Sequence, residues 1–192
     1  MRTCCLGGAA LCLIFSLQAM TACSVKEDRS ACPCYASVLV EDFLRAGFSD
    51  ALLSFSSDRL VHRESIRLAE FEDDAYVASL ERRTNRASLI AGMTRMRIRG
   101  DSLLVPYGHQ SDPIWLYSEK FFCDGDSYTV TARPHKQFCR LEILLKGLSA
   151  EERTACTFRV KAGFCGLDLY SRRALEGEFC AEATRGLDGA FS

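Results

Sequence analysis

Residues 35–56 read YASVLVEDFLRAGFSDALLSFS, with short apolar runs at 35–40 and 51–56. The segment between them, 40–48, is a candidate for one helical turn or more. Runs of the same kind, separated by polar and glycine-containing turns, follow at 60–68, 75–80, 87–92, 95–99, 103–107, 114–118, 127–132, 138–145, 157–162, 166–170 and 177–179. Short strands at such spacing are typical of an antiparallel sandwich. We therefore predict an all-β protein.

A domain boundary is expected near residues 133–136, where Pro134 interrupts two strand-like runs. Proline is rare inside a sheet, so it favours a break at this point. We predict an N-terminal β-sandwich domain at 35–134 and a partial C-terminal one at 135–192. The strand pattern fades after Cys180, so the second domain is expected to be incomplete.

The clearest single strand is predicted at 139–145, where apolar and polar residues alternate. The same alternation continues in the run at 157–162. In these two runs it places five apolar side chains where they could face a partner: Leu141, Ile143, Leu145, Phe158 and Val160. Between the two runs, Ser149 and Glu152 have the spacing of a capping box, which predicts the start of a short helix.

The N-terminus has the pattern of a bacterial lipoprotein signal peptide. An apolar run at 4–17 is too short to span a bilayer, and Met20-Thr21-Ala22-Cys23 matches the site that lipoprotein signal peptidase cleaves. We predict that residues 1–22 are removed, that Cys23 carries palmitate-type lipid, and that 23–34 forms a lipidated tether to the membrane. The alternative is a secreted protein with an unmodified Cys23.

Seven cysteines follow Cys23, and an odd number leaves at least one without a partner in its own chain. Disulfides persist in exported proteins, but the sequence does not assign the pairs among Cys32, Cys34, Cys123, Cys139, Cys156, Cys165 and Cys180. The spacing of Cys32 and Cys34 also fits a metal or redox site. Zinc sites usually use a second closely spaced pair, which the sequence lacks.

The serine, histidine and glycine residues of the sequence do not form a known catalytic motif. The sequence has no Gly-x-Ser-x-Gly elbow and no phosphate-binding loop, and His62, His109 and His135 lack the spacing of a zinc-protease helix. The chain has 24 basic and 25 acidic residues, a net charge of −1, which does not suggest nucleic-acid binding. We predict no enzymatic activity, no cofactor, no metal and no small-molecule substrate.

Three further features have a structural and a functional interpretation. The acidic cluster at 70–74 fits a solvated turn better than a calcium loop. The stretch at 95–99 alternates arginine with apolar residues, which favours an exposed sheet face, with an anionic glycan or lipid headgroup as an alternative ligand. Trp115 lies between apolar neighbours, so we expect it in a core.

Five stretches of the chain resemble the fimbrillin-anchor family, the lipoprotein minor subunits of Bacteroides-type and Porphyromonas-type fimbriae. The stretches are KEDRSACPCY at 26–35, GHQSDPIWLY at 108–117, PHKQF at 134–138, FCGLDL at 164–169 and GEFC at 177–180. The resemblance runs from Cys23 to about Cys180, and its first and third stretches are the most specific.

The resemblance implies two transthyretin-like β-sandwich domains and a protein that binds rather than catalyses. Its expected role is to fix the fimbrial shaft to the outer membrane at the cell surface, with a fimbrillin shaft subunit as its partner. Lys26, Glu27 and Asp28 resemble an export signal that sends such lipoproteins to the outer surface. The first domain is then a lipid-proximal base.

An incomplete β-sandwich invites a strand from a neighbouring subunit. We therefore expect residues 138–180 to meet the shaft, through the five facing residues Leu141, Ile143, Leu145, Phe158 and Val160. The alternative function is a glycan-binding or adhesive surface lipoprotein, and an enzyme is a third, more distant class.

Overall fold

The structure is a computed structural model and describes residues 32–184, apart from the side chains of residues 150, 153 and 154. The predictions for Cys23 and for Lys26, Glu27 and Asp28 lie outside the described residues. Within this range, no helix has the length and apolar character needed to cross a membrane. The predicted all-β, sandwich-type fold is confirmed.

Twelve strands and two short helices make up the described part of the chain. The strands are β1 (Cys34–Leu39), β2 (Asp50–Ser56), β3 (Val61–Arg67), β4 (Ala75–Leu80), β5 (Thr84–Ala91), β6 (Arg97–Arg99), β7 (Ser102–Leu104), β8 (Trp115–Phe122), β9 (Ser127–Thr131), β10 (His135–Lys136), β11 (Arg159–Asp168) and β12 (Ala174–Glu182). The helices are α1 (Glu41–Arg45) and α2 (Ala150–Ala155). Two 3-10 turns, Leu68–Glu70 and Glu72–Asp74, precede β4.

The strands form three sheets. The front sheet has the order β4-β1-β9, the central sheet β10-β8-β5-β2-β3 and the back sheet β12-β11-β7-β6. The pairing is antiparallel except between β1 and β9, which run parallel from Tyr35 beside Ser127 to Leu39 beside Thr131. The front sheet therefore contains one parallel pair of strands, which a purely antiparallel sandwich would lack.

The central sheet has a core on each face. Successive side chains of a strand point to opposite faces, so Leu53 and Leu89 belong to the first core whereas Ile90 belongs to the second. The first core also takes side chains from β1 and β9 of the front sheet, including Val38 and Val130. The second core takes side chains from the back sheet and the segments beside it, including Leu103, Val105 and Leu169. The three sheets are thus stacked, with the central sheet in the middle.

Both predicted helices form. In α1, Phe43 is buried, and Arg45 makes ion pairs with Glu41 and Asp42 at 2.5 and 2.8 Å. The capping box before α2 is present: the Ser149 N–H donates to Glu152 Oε2 at 2.8 Å, and the Glu152 N–H donates to Ser149 Oγ at 3.2 Å. Two backbone donors at the helix start are therefore satisfied by side chains.

The prediction of a strand at 139–145 is wrong. Only Ile143 makes a bridge there, and Leu141 and Leu144 are 58% and 65% exposed. The alternation of apolar and polar residues shows which face a strand would bury. A strand also needs a neighbouring strand to accept and donate its backbone hydrogen bonds. No strand of the described residues forms a ladder with this segment.

The runs predicted at 157–162 and 166–170 are largely one long strand, β11, whose register with β12 shifts between Ala162 and Gly166. The pairing of β11 with β7 crosses the predicted boundary at residue 134, and the described residues from Pro33 onward belong to one compact unit. The back sheet is a single four-stranded sheet. The division into two domains stays a prediction.

Candidate partner-binding edge and cleft

The hairpin of β11 and β12 extends beyond its neighbour β7. β12 pairs with β11 from Arg159 to Leu167, whereas β7 pairs with β11 only from Gly166 to Asp168. One further bond, from the Val105 N–H to the Cys165 carbonyl at 2.9 Å, continues that contact. Among the described residues, no other strand pairs with this side of β11. We call the side of residues 159–164 that faces away from β12 the open edge.

Hydrogen-bond geometry shows which backbone groups point to the open edge. The Ala183 N–H donates to the Phe158 carbonyl at 2.9 Å, which makes these two residues a hydrogen-bonded pair. Such pairs alternate with non-hydrogen-bonded pairs along an antiparallel ladder, and the register is unbroken up to Ala162. The N–H and C=O groups of Arg159 and Lys161 therefore point away from β12.

The outer side of β12 is covered instead. The Gly108 N–H donates to the Cys180 carbonyl at 2.9 Å, and Gln110 Nε2 donates to the Glu182 carbonyl at 3.2 Å. The loop after β7 thus satisfies outward-facing carbonyls of β12. Within residues 32–184, the hairpin therefore has one side that is covered and one side with which no strand pairs between residues 159 and 164.

Apolar side chains lie beside the open edge. Val160 is 37% exposed and Phe164 is 44% exposed. The Phe164 ring stacks on Phe179 with ring centroids 5.8 Å apart, and Phe179 packs against the second core. At the start of β11, Arg159 pairs with Glu182 at 2.5 Å across the hairpin. A strand added here would gain backbone partners and cover Val160 and Phe164.

The five residues predicted to face a partner divide into two groups. Val160 lies on β11, and half-buried Phe158 directly precedes that strand. Leu141, Ile143 and Leu145 lie on the segment that is not a strand, so their alternation does not place them on one sheet face.

Sequence reasoning missed Phe164. The signal was present, because the alternation of Phe158, Val160 and Ala162 continues to Phe164. The predicted runs at 157–162 and 166–170 leave Phe164 between them. The structure joins those runs into one strand.

A second candidate site is a cleft of about 550 Å³ beside the central sheet. Its lining includes the cations Arg83, Arg86 and Lys120 and one carboxylate, Asp58. Phe122, which is 58% exposed, also lines it. With three cations and one carboxylate, this lining favours binding of a ligand that carries an anionic group.

Two of the cations that line the cleft, Arg83 and Arg86, are positioned by different kinds of contact. Arg83 pairs with Asp58 at 2.8 Å, and this hydrogen bond lowers the pKa of Asp58 and raises that of Arg83. The Arg86 guanidinium lies 4.0 Å from the centre of the Tyr170 ring, and the Tyr170 hydroxyl donates to Ser56 Oγ at 2.5 Å. Arg86 is therefore positioned by an aromatic ring rather than by a carboxylate.

The structure also places the other residues that the sequence singles out. In the basic stretch at 95–99 all three arginines are exposed, whereas Met96 is buried in the second core, as the alternation predicts. Half-buried Trp115 packs against the first core, with its ring centroid 6.2 Å from those of Phe48 and Phe138. The acidic cluster at 70–74 spans the end of the first 3-10 turn and the whole of the second. Among residues 32–184, no group of three or more side chains is arranged to hold a metal ion.

Comparisons with protein-family models, with curated proteins and with solved structures gave no match to this chain. Its class is defined by the fold, an all-β sandwich of three stacked sheets.

Proposed function

We propose that this protein is a lipid-anchored surface protein of the outer membrane that holds a fimbrium by accepting a strand from the fimbrillin shaft subunit at the open edge of β11. The single observation that carries the proposal is this edge, where Arg159 and Lys161 present backbone groups that no described strand pairs with. The family resemblance supports the identity of the partner. The protein acts by binding, without enzymatic chemistry.

The physical basis is β-augmentation. An added strand gains affinity from main-chain hydrogen bonds and specificity from alternate side chains. Val160 and Phe164 supply exposed apolar area next to those hydrogen bonds. An open strand edge with apolar side chains promotes aggregation unless it is covered, and a shaft subunit is the cover that we propose.

The test uses Lys161→Pro in cells that make fimbriae. Proline lacks the N–H donor and its ring blocks a neighbouring strand, yet the Lys161 N–H points away from β12, so the hairpin keeps its own bonds. We expect shaft binding to weaken about tenfold or more, the effect of losing about 1.4 kcal/mol. Shaft subunit should then move from the cell pellet to the medium.

The matched control is Lys161→Ala, which removes the same charged side chain but keeps the N–H. It should retain fimbriae on the cell, and thermal unfolding of the two purified variants shows whether both are folded. If Lys161→Pro is folded and holds as many fimbriae as Lys161→Ala, the shaft does not bind at the open edge.

A second candidate function, binding of an anionic glycan, is favoured by the three cations and the exposed Phe122 of the cleft. Retention of the purified protein on a sulfated polysaccharide column tests it. Arg86→Gln and Lys120→Gln should then elute at lower salt than the wild type. Lys146→Gln, at an exposed cation outside the lining of the cleft, serves as a control of equal charge change and should elute with the wild type.

A further inference from the structure

Two buried cysteines from different sheets meet in the first core. Cys34 is the first residue of β1 in the front sheet, and Cys123 directly follows β8 of the central sheet. Their exposed fractions are 0% and 1%. Both side chains belong to the first core, and Asn85 Nδ2 donates to Cys123 Sγ at 3.5 Å.

Main-chain bonds fix both positions. The Tyr35 N–H, next to Cys34, donates to the Asp126 carbonyl at 2.9 Å. The Cys123 N–H donates to the Arg83 carbonyl at 3.0 Å. The first of these bonds ties the start of β1 to the turn that follows Cys123, so the backbone brings the two cysteines into the same region of the first core.

We propose that Cys34 and Cys123 form a disulfide that links the front sheet to the central sheet. The oxidant is another disulfide, supplied by a thiol–disulfide oxidoreductase or by oxidised glutathione. One thiolate attacks that disulfide, forms a mixed disulfide and releases one thiol. The second cysteine then attacks the mixed disulfide, forms the Cys34–Cys123 bond and releases the second thiol. Two electrons pass to the oxidant, which leaves as two thiols carrying the two protons.

The burial of the two cysteines determines when the disulfide forms. Burial and the neighbouring Cys34 thiol raise the pKa of Cys123 to about 11, so little thiolate exists in the folded core at neutral pH. The bond therefore forms while the chain folds and the cysteines are accessible. Once formed, it is shielded from soluble reductants by the same core.

The test is refolding of the full chain from denaturant with a mixture of oxidised and reduced glutathione, followed by alkylation and peptide mapping by mass spectrometry. We expect a peptide pair joined through Cys34 and Cys123. Refolding in reductant should lower the melting temperature of the wild type by about 5–15 °C. The variant Cys34→Ala/Cys123→Ala should melt at the same temperature in both conditions, and Cys139→Ala should behave like the wild type.

Two results would overturn the proposal. One is a natively folded, oxidatively refolded chain in which Cys34 and Cys123 are both alkylated. The other is a map in which either residue is joined to a different cysteine. The proposal concerns a bond inside the first core and does not depend on which partner binds the open edge.

Discussion

Asp112 is a buried carboxylate, 4% exposed, that organises the turn between β5 and β6. It accepts hydrogen bonds from the N–H groups of Thr94, Arg95 and Met96 at 2.7, 2.6 and 2.7 Å, and from the Thr94 hydroxyl at 2.6 Å. Burial alone would raise the pKa of Asp112, but these hydrogen bonds outweigh it and hold the pKa below its ordinary value. The contacts fix Met96 where it enters the second core.

Replacement of Asp112 by alanine should destabilise the protein by about 3 kcal/mol, because it removes the acceptor of three backbone N–H groups, and that of Met96 is buried. Asp112→Asn keeps one acceptor oxygen and should cost about 1 kcal/mol. Urea unfolding at neutral pH measures both. Equal stabilities of the wild type and the alanine variant would show that water satisfies these donors.

The same residue predicts a pH dependence. A carboxyl whose pKa is lowered by folding stabilises the native state above its unfolded pKa, and this contribution is lost as the pH falls through the native pKa. The difference in unfolding free energy between the wild type and Asp112→Asn should therefore shrink below about pH 4. A difference that stays constant from pH 7 to pH 3 would contradict the assignment.

At the scale of single elements, the long strand β11 depends on a close approach to β7. A methyl group added at Gly166 would overlap the Leu103 carbonyl oxygen, whereas one added at Gly163 meets no atom within 4 Å. Gly166 is therefore required by packing, and Gly163 is not.

Gly166→Ala should destabilise the protein by about 2 kcal/mol or more, because β11 must move away from β7. Gly163→Ala should change stability by no more than about 0.5 kcal/mol. Thermal unfolding of the two variants compares the same chemical change at two positions of one strand. Equal melting temperatures would mean that the β7–β11 contact contributes little to the fold.

Some elements of the fold are encoded in local sequence and others are not, for identifiable physical reasons. Local patterns predicted β1, β4 and the capping box of α2, because alternation and cap spacing are encoded within a few residues. The pattern at 139–145 was equally regular, yet no ladder forms there, since pairing depends on a neighbour elsewhere in the chain. For the same reason Val160 could be chosen from sequence as a contact residue, while the open edge itself could not.

At the scale of the whole molecule, the stacking of three sheets was not predictable from local pattern. It rests on the pairing of β1 with β9 and of β7 with β11, whose residues are far apart in the chain. The placement of Cys34 and Cys123 in the same core has the same origin. Sequence assigned no cysteine pair because spacing carries no information about which sheets meet.

Membrane attachment belongs to the whole protein and rests on the lipoprotein hypothesis. We expect Cys23→Ala to abolish labelling by a palmitate analogue and to release the protein into the soluble fraction, since the acyl chains supply the membrane affinity. Cys139→Ala, a control at a cysteine outside the signal, should remain in the membrane fraction. A Cys23→Ala protein that stays membrane-bound would contradict the lipid anchor.

Hydrogen–deuterium exchange of the protein with and without purified fimbrillin shaft subunit tests the central claim most directly. A strand added at the open edge hydrogen-bonds the outward-facing backbone groups of β11, so the amides of Arg159 and Lys161 should become protected in the complex. Amides of the edge strand β6 should exchange at unchanged rates. Protection at the cleft or along β6, with Arg159 and Lys161 unchanged, would contradict shaft binding at the open edge of β11.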